Sequence, residues 1–206
     1  MHFGFYETPT RLIDKAAQVG LDLASFTAPA LLDIVWQSPL EEILDVLADR
    51  LLAAVQRRAV QRLFIDGLNG FQAAAAEPER LSRFFTALTH ELRRRNVTTL
   101  FSVETRHAVG PEFEVPLSDV SAIVENILFL RYVELRAQLY RLLSILKVRE
   151  QGYDSTLHEF TITDHGLEVA ATAESAEAIL SGVGRPLPLN PAPSPATWGS
   201  PPNRRP

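Results

Sequence analysis

Arg62-Leu63-Phe64-Ile65-Asp66 reads as a buried strand that delivers one carboxylate, Asp66, to its C-terminal end. Gly67 and Gly70 follow and read as a loop. Before the strand, Ser38-Pro39-Leu40-Glu41 has the form of a capping box, in which the Ser38 hydroxyl and the Glu41 carboxylate each satisfy an orphan amide. The helix it opens carries Leu40, Ile43, Leu44, Leu47, Leu51 and Val55 on one face, a stripe read as core. Further upstream, Leu31–Trp36 reads as a short apolar strand, and Thr8-Pro9 as the cap and first turn of a helix that runs to about Val19 and stops at Gly20. Residues 2–6 are apolar and aromatic and read as another buried strand. Downstream, a helix from about Glu79 to Arg94 places Leu81, Phe84, Phe85, Leu88 and Leu92 on one side, and Val97–Val103 is rich in β-formers. Strands alternating with helices predict a parallel sheet with helices on its faces. Ligands of such sheets collect at the carboxyl ends of the strands, where Glu7, Asp66 and Glu104 fall.

The second half has a different rhythm. Residues 105–119 read as irregular, with Gly110, Pro111 and Pro116. Ile127–Val133 and Leu139–Lys147 read as two strands around a turn near Glu134–Ala137, His158–Thr163 as a third, and Asp164-His165-Gly166 as a turn into Leu167–Val169. These are antiparallel hairpins appended to the parallel core. Residues 175–181 predict one more short helix. Eight of the 14 prolines fall in the last 21 residues, so that tail is expected to be disordered.

Composition narrows the function classes. A chain of 206 residues suits one domain with a tail, and a hydrophobic fraction of 46% supports a core. The net charge of −5 argues against a duplex nucleic-acid surface, which rests on neutralised phosphates. The basic run Arg93-Arg94-Arg95 ends a predicted helix, where cations offset exposed carbonyls. With no cysteine there is neither disulfide nor thiolate metal site, a composition compatible with the cytoplasm. No apolar run reaches the roughly 18–20 residues that span a bilayer. The five histidines, His2, His90, His107, His158 and His165, show no metal-ligand spacing. Ser102, Glu104 and His107 lack a nucleophile elbow around them, which argues against a hydrolase trio.

Two features point to phosphoryl chemistry. The strand 62–66 ends in an acid, and residues 142–149, Leu-Leu-Ser-Ile-Leu-Lys-Val-Arg, deliver two cations to the end of another strand. Against them stands an absence. Nowhere in the 206 residues is there a Gly-x-x-x-x-Gly-Lys-[Ser/Thr] phosphate loop, and the only lysines, Lys15 and Lys147, lie outside any such context.

Four stretches carry a family resemblance: Phe3-Gly4-Phe5-Tyr6-Glu7-Thr8, Arg62–Asp66, Leu130-Arg131-Tyr132-Val133-Glu134-Leu135-Arg136, and Leu146-Lys147-Val148-Arg149 followed by Asp154 and His158–Asp164. In order and spacing, from residue 2 to about 169, the chain resembles the KaiC-like branch of the RecA-type ATPases. The resemblance implies a RecA-like three-layer core with a mostly parallel sheet, C-terminal antiparallel hairpins and an N-terminally incomplete outline. It places a partial ATPase domain over residues 1–170, with a short helix and tail over 171–206. The family's phosphate loop and its strand would precede residue 1, which suggests either a longer functional protein or a degenerate domain. The implied partners are further copies of the chain or a complete KaiC-like paralogue, assembled as a ring with ATP between subunits, in the cytoplasm and away from membranes and nucleic acid.

The resemblance also implies site roles. Asp66 would hold Mg2+, directly or through water. Glu7 matches the second of two adjacent family glutamates and would orient the attacking water; the first is Tyr6 here. Lys147 and Arg149 match residues that reach a neighbour's triphosphate, and Arg141 and Asp154 match positions near the nucleotide. Ser121-Ala122 stands where the clock members carry a phosphorylated Ser-Thr pair, so only one hydroxyl of that pair is present. From the residues alone, Asp66 can equally cap the Gly67 turn, Glu7 can serve as a helix charge beside Thr8-Pro9, and Lys147 and Arg149 can be solvated edge-strand cations.

Overall fold

Four short strands, β1 (His2–Gly4), β2 (Ile34–Trp36), β3 (Arg62–Asp66) and β4 (Thr98–Phe101), run parallel in the order β2-β1-β3-β4. They belong to a computed structural model that describes residues 1–38, 43–105 and 123–182. The Ser38–Glu41 capping box is therefore described only at Ser38, and residues 106–119, Ser121-Ala122, His107 and the proline-rich tail from 183 on lie outside the described residues.

Chain direction decides how the layers form. The connection from β1 to β2 carries α1 (Pro9–Gln18) and α2 (Ala24–Thr27) and moves one way across the sheet. The connections β2 to β3, through α3 (Leu44–Arg57), and β3 to β4, through α4 (Leu68–Ala74) and α5 (Leu81–Arg94), move the other way. Right-handed crossovers then put α1 on one face and α3, α4 and α5 on the opposite face. The core records this division. Phe3, Leu63 and Ile65 of the sheet join Leu44, Leu47, Leu51, Phe71, Phe85, Leu88 and Leu92 of the three helices in one buried cluster. Alternation along β3 sends Leu63 and Ile65 into that cluster and Phe64 and Asp66 to the other side. The mostly parallel, three-layer outline expected from the sequence is the one observed.

The differences are local. A helix, α4, occupies part of what Gly67 and Gly70 suggested was a loop. Gly67, at φ 88°, makes the left-handed turn that starts it. Gly70 serves a different end: a Cβ there would stand 2.2 Å from the Phe5 ring, so the missing side chain lets α4 lie against β1. β1 ends at Gly4 rather than residue 6, and the indole Nε1 of Trp36 donates to the Phe5 carbonyl at 3.0 Å. Thr8 occupies the cap position of α1 without a side-chain capping bond, leaving that start to Pro9.

A second sheet runs β5-β6-β7-β8: β5 (Asn126–Leu135), β6 (Gln138–Val148), β7 (His158–Thr163) and β8 (Gly166–Val169), all antiparallel. The last helix, α6 (Glu174–Leu180), covers one face, where Ala176 and Ile179 meet Tyr140 and Leu142. The opposite face, traced by the pairs Leu128–Ile145, Leu130–Leu143 and Ile162–Leu167, leaves Leu128, Leu130, Leu139, Ile162, Leu167 and Val169 exposed. The β7–β8 turn packs against the end of α1, where the Asp164 carbonyl would lie 2.6 Å from a Cβ at Gly20.

The β5–β6 hairpin turns on Arg136 and Ala137, at φ 52° and 60°. Both central residues are left-handed, the pattern of a type I′ turn, which favours glycine at the second position. Ala137→Gly is expected to raise the unfolding free energy by about 0.5–1 kcal/mol, read as a later urea midpoint at unchanged slope. Arg136 is better kept, because its guanidinium donates to the Gly182 carbonyl at 3.0 Å.

Candidate functional site

β1 and β3 are neighbours whose onward connections leave in opposite directions. This is the topological switch point of the sheet, where the carboxyl ends of two strands part and leave a crevice. Gly4 pairs with Asp66 across it, and Glu7 lies three residues beyond Gly4. The two acids expected to share a site therefore stand at the same end of adjacent strands.

Asp66 is held by its neighbours. Ser102, just past β4, donates its hydroxyl to Asp66 Oδ1 at 2.9 Å and accepts the Gly67 amide at 2.7 Å. His2 approaches the other oxygen, with Nε2 3.6 Å from Oδ2. Gly4 makes that approach possible: a Cβ there would lie 2.7 Å from His2 Cε1. Burial lowers the pKa of His2 despite the nearby Asp66 charge, which favours a neutral imidazole at neutral pH. Asp66 itself is part-exposed, with 31% of its side-chain surface open to solvent. The Tyr6 ring covers Gly67, and burial, with Glu104 and Asp66 nearby, raises its pKa. Glu104 is fixed at the same end through its amide, which donates to Asn69 Oδ1 at 3.2 Å.

Glu7 is engaged with α1. Lys15 donates a short hydrogen bond to Glu7 Oε1, and Arg11 Nε lies 3.3 Å from Oε2. The hydrogen bond from Lys15, with the charges of Lys15 and Arg11, lowers the carboxyl's pKa. This matches the helix-charge reading of Glu7. Lys147 also has a partner: its ammonium donates to the Val124 carbonyl at 3.1 Å.

The cations stand apart from the acids. β6 ends at Val148, and Arg149, one residue on, extends the pairing by donating its amide to Glu125 O at 2.9 Å. The segment they pair with is tied to the C-terminal turn of α5, where Arg93 donates to Ile123 O at 3.0 Å and lies 3.4 Å from Glu125. That turn precedes β4, so it marks the end of the parallel sheet opposite to Asp66. Arg141 sits mid-strand with its guanidinium 5.6 Å from the Tyr132 ring centre. Asp154 is bonded to Thr156 and His158 in the connection between β6 and β7. Within one chain the structure places Glu7, Asp66 and Glu104 at the same end of the parallel sheet, with Glu7 turned to Lys15 and Arg11 of α1, and it keeps Lys147, Arg149, Arg141 and Asp154 elsewhere.

Sequence reasoning missed Ser102 as the residue that holds Asp66, and missed His2. The spacing of His2 and Gly4 at i and i+2 on a strand was the available signal, since it puts a bulky ring beside an empty position on one face.

The family model for the KaiC ATPase matches residues 3–174. The chain belongs to the KaiC family of ATPases. It is 25% identical over 180 residues to the circadian clock oscillator protein KaiC of Parathermosynechococcus lividus, covering 87% of this chain and 33% of that protein. The same identity and chain coverage hold for KaiC of Acaryochloris marina and of Synechococcus elongatus, with 34% of each relative covered. The chain thus spans about one third of the length of these KaiC relatives. The parallel sheet with its separate antiparallel sheet is consistent with a RecA-like KaiC domain. Among the described residues, no helix is long and apolar enough to cross a membrane.

Proposed function

We propose that these residues supply part of a KaiC-family nucleotide site, with Asp66 on the magnesium side and Lys147 and Arg149 directed to the nucleotide of a neighbouring subunit. The observation that carries this reading is the opposed placement of the acids and the cations at the two ends of one subunit, so that in a ring they would meet only across an interface. The residues fit the groups unequally. Asp66, with one oxygen pinned by Ser102, the other beside a His2 ring that burial keeps toward neutrality, and a side chain that is part-exposed, suits a hydrated Mg2+. The triphosphate has no such fit: the sequence carries no Gly-x-x-x-x-Gly-Lys-[Ser/Thr] loop, and both lysines are bonded elsewhere, to Glu7 and to the Val124 carbonyl. Several charge-assisted hydrogen bonds of about 1.5–3 kcal/mol each are therefore lacking on the phosphate side.

An ion held by Asp66 would supply charge neutralisation to the phosphates of a bound nucleotide. The residues of this chain would position that ion through Asp66, hold Asp66 through Ser102, and present Arg149 outward. Glu7 would orient water only after release from Lys15. Arg141 and Asp154 belong to the nucleotide-facing set by resemblance.

The experiment is ATP turnover by the purified 206-residue chain, alone and with a complete KaiC-family protein. The expected result is no turnover alone. Turnover by the isolated chain that Asp66→Asn abolishes would overturn the account of the phosphate side. A second reading, a non-catalytic module that assembles with a complete paralogue, is favoured by the exposed apolar face of the β5–β8 sheet. Size-exclusion chromatography separates the two readings: assembly that needs ATP supports the first, and assembly with the paralogue regardless of nucleotide supports the second.

A further inference from the structure

The connection between β6 and β7 holds a closed hydrogen-bonded cluster. Thr156 Oγ lies 2.6 Å from Asp154 Oδ1 and 2.9 Å from His158 Nε2. The Thr156 amide donates to the same Asp154 oxygen at 2.9 Å, and Asp154 Oδ2 lies 3.4 Å from His158 Nε2. On the other side of the ring, His158 Nδ1 is 2.9 Å from the Ala170 carbonyl, one residue past β8.

Counting protons fixes the donors. A carbonyl only accepts, so Nδ1 carries a hydrogen. Thr156 has one hydroxyl proton. The Asp154 carboxyl, whose pKa is lowered first by the hydroxyl and amide of Thr156, is an acceptor only, and the 2.6 Å contact takes that proton. The Thr156 oxygen can then face Nε2 only as an acceptor, which requires a hydrogen on Nε2 as well. With a neutral ring, one of the two Thr156 contacts would set lone pair against lone pair. We infer that His158 in its doubly protonated form is a staple that closes residues 154–158 onto the end of β8, and that loss of the Nε2 proton opens it.

The same count removes a competing reading. Thr156 beside a histidine oriented by a carbonyl has the outline of an activated nucleophile, but a ring nitrogen that donates to the hydroxyl oxygen cannot serve as its base. By strand alternation Arg141, two residues before Leu143 on β6, shares the ring's face. Leu143 lies opposite on β6, β8 offers a backbone carbonyl, and Glu159, next along β7, points to the other face. Asp154 is the charged side chain paired with the ring among the described residues. Tyr153 donates its hydroxyl to the Leu146 carbonyl at 3.0 Å, so the connection is tied down at both ends. It begins directly after Arg149, and the staple sets the path by which the chain leaves that residue. The inference does not rest on the ATP reading, though the two share Asp154.

Histidine-ring 15N spectra and backbone amide spectra of the 206-residue chain, recorded from about pH 5 to 8, test the staple. At the acidic end both His158 ring nitrogens are expected to be protonated. As the Nε2 proton leaves, the amides of Tyr153–Leu157 should shift with the ring and exchange with solvent about tenfold faster. Asp154→Ala removes the acceptor that claims the hydroxyl proton and should uncouple the ring from the loop amides. If that variant folds poorly, Thr156→Val gives the same uncoupling by removing the hydroxyl. A ring that titrates while the wild-type loop amides stay still, or one that remains a neutral tautomer at about pH 5, overturns the inference.

Discussion

Phe71→Ala is expected to cost about 3–5 kcal/mol and to leave a large share of the protein unfolded at ambient temperature. Phe71 is fully buried on α4. Its ring stacks on Phe3 at 6.1 Å and meets Phe5, Phe84 and Phe85 at 5.0, 5.6 and 5.7 Å. The ring therefore joins β1, α4 and α5, and truncation opens a void bounded by three elements that cannot close together. Lost transfer free energy and lost ring contacts add to the cavity term. Urea unfolding followed by near-ultraviolet circular dichroism gives the value. A loss under about 1 kcal/mol would show that the aromatic cluster is not the keystone of this core. Phe71→Leu, which keeps most of the volume, should cost markedly less.

The second large effect concerns Arg149. A complete KaiC-family partner, disabled at its own equivalent arginine, is mixed with the 206-residue chain, so that turnover arises where this chain presents Arg149 to the partner's nucleotide. Arg149→Ala is then expected to lower that turnover by about a thousandfold, the scale of an arginine supplied in trans. Arg149→Lys should restore only part of it, because a point charge lacks the planar fork of the guanidinium. Lys147→Ala should act less through loss of charge than through release of the Val124 carbonyl it holds. Equal turnover with and without Arg149, in mixtures shown to co-assemble, would remove the trans role.

Much of the architecture could be read from local pattern because pattern and packing agree there. The apolar run ending in Asp66 had one reading as a buried strand, and the α5 stripe and Leu44, Leu47, Leu51 and Val55 of the α3 stripe became the core, whereas Ile43, expected in that stripe, precedes the helix in extended backbone and is exposed. Four antiparallel strands followed from alternation, with Gly166 marking the β7–β8 turn. Failure came where one residue type serves two purposes. Gly67 and Gly70 look alike in sequence, yet one turns the chain and the other only vacates space for Phe5. The surroundings of Asp66 were hidden for a different reason. Ser102 is 36 residues away and reaches Asp66 only because β4 pairs with β3. His2 showed no ligand spacing, and its nearness to Asp66 depends on the register of β1. The partners of Glu7 were closer to hand. Arg11 is at i+4, but the sequence did not say whether Glu7 would face its own helix or the crevice.

The separation of Asp66 from Arg149 restricts symmetry. In a two-fold dimer the acid end of each subunit meets the basic end of the other, which closes at two members. Subunits that each give their acid end to one neighbour and their basic end to another line up head to tail, so such an assembly has a direction. An open string of any length then leaves one crevice at its first member and one arginine at its last without a counterpart, and only a closed circle leaves none.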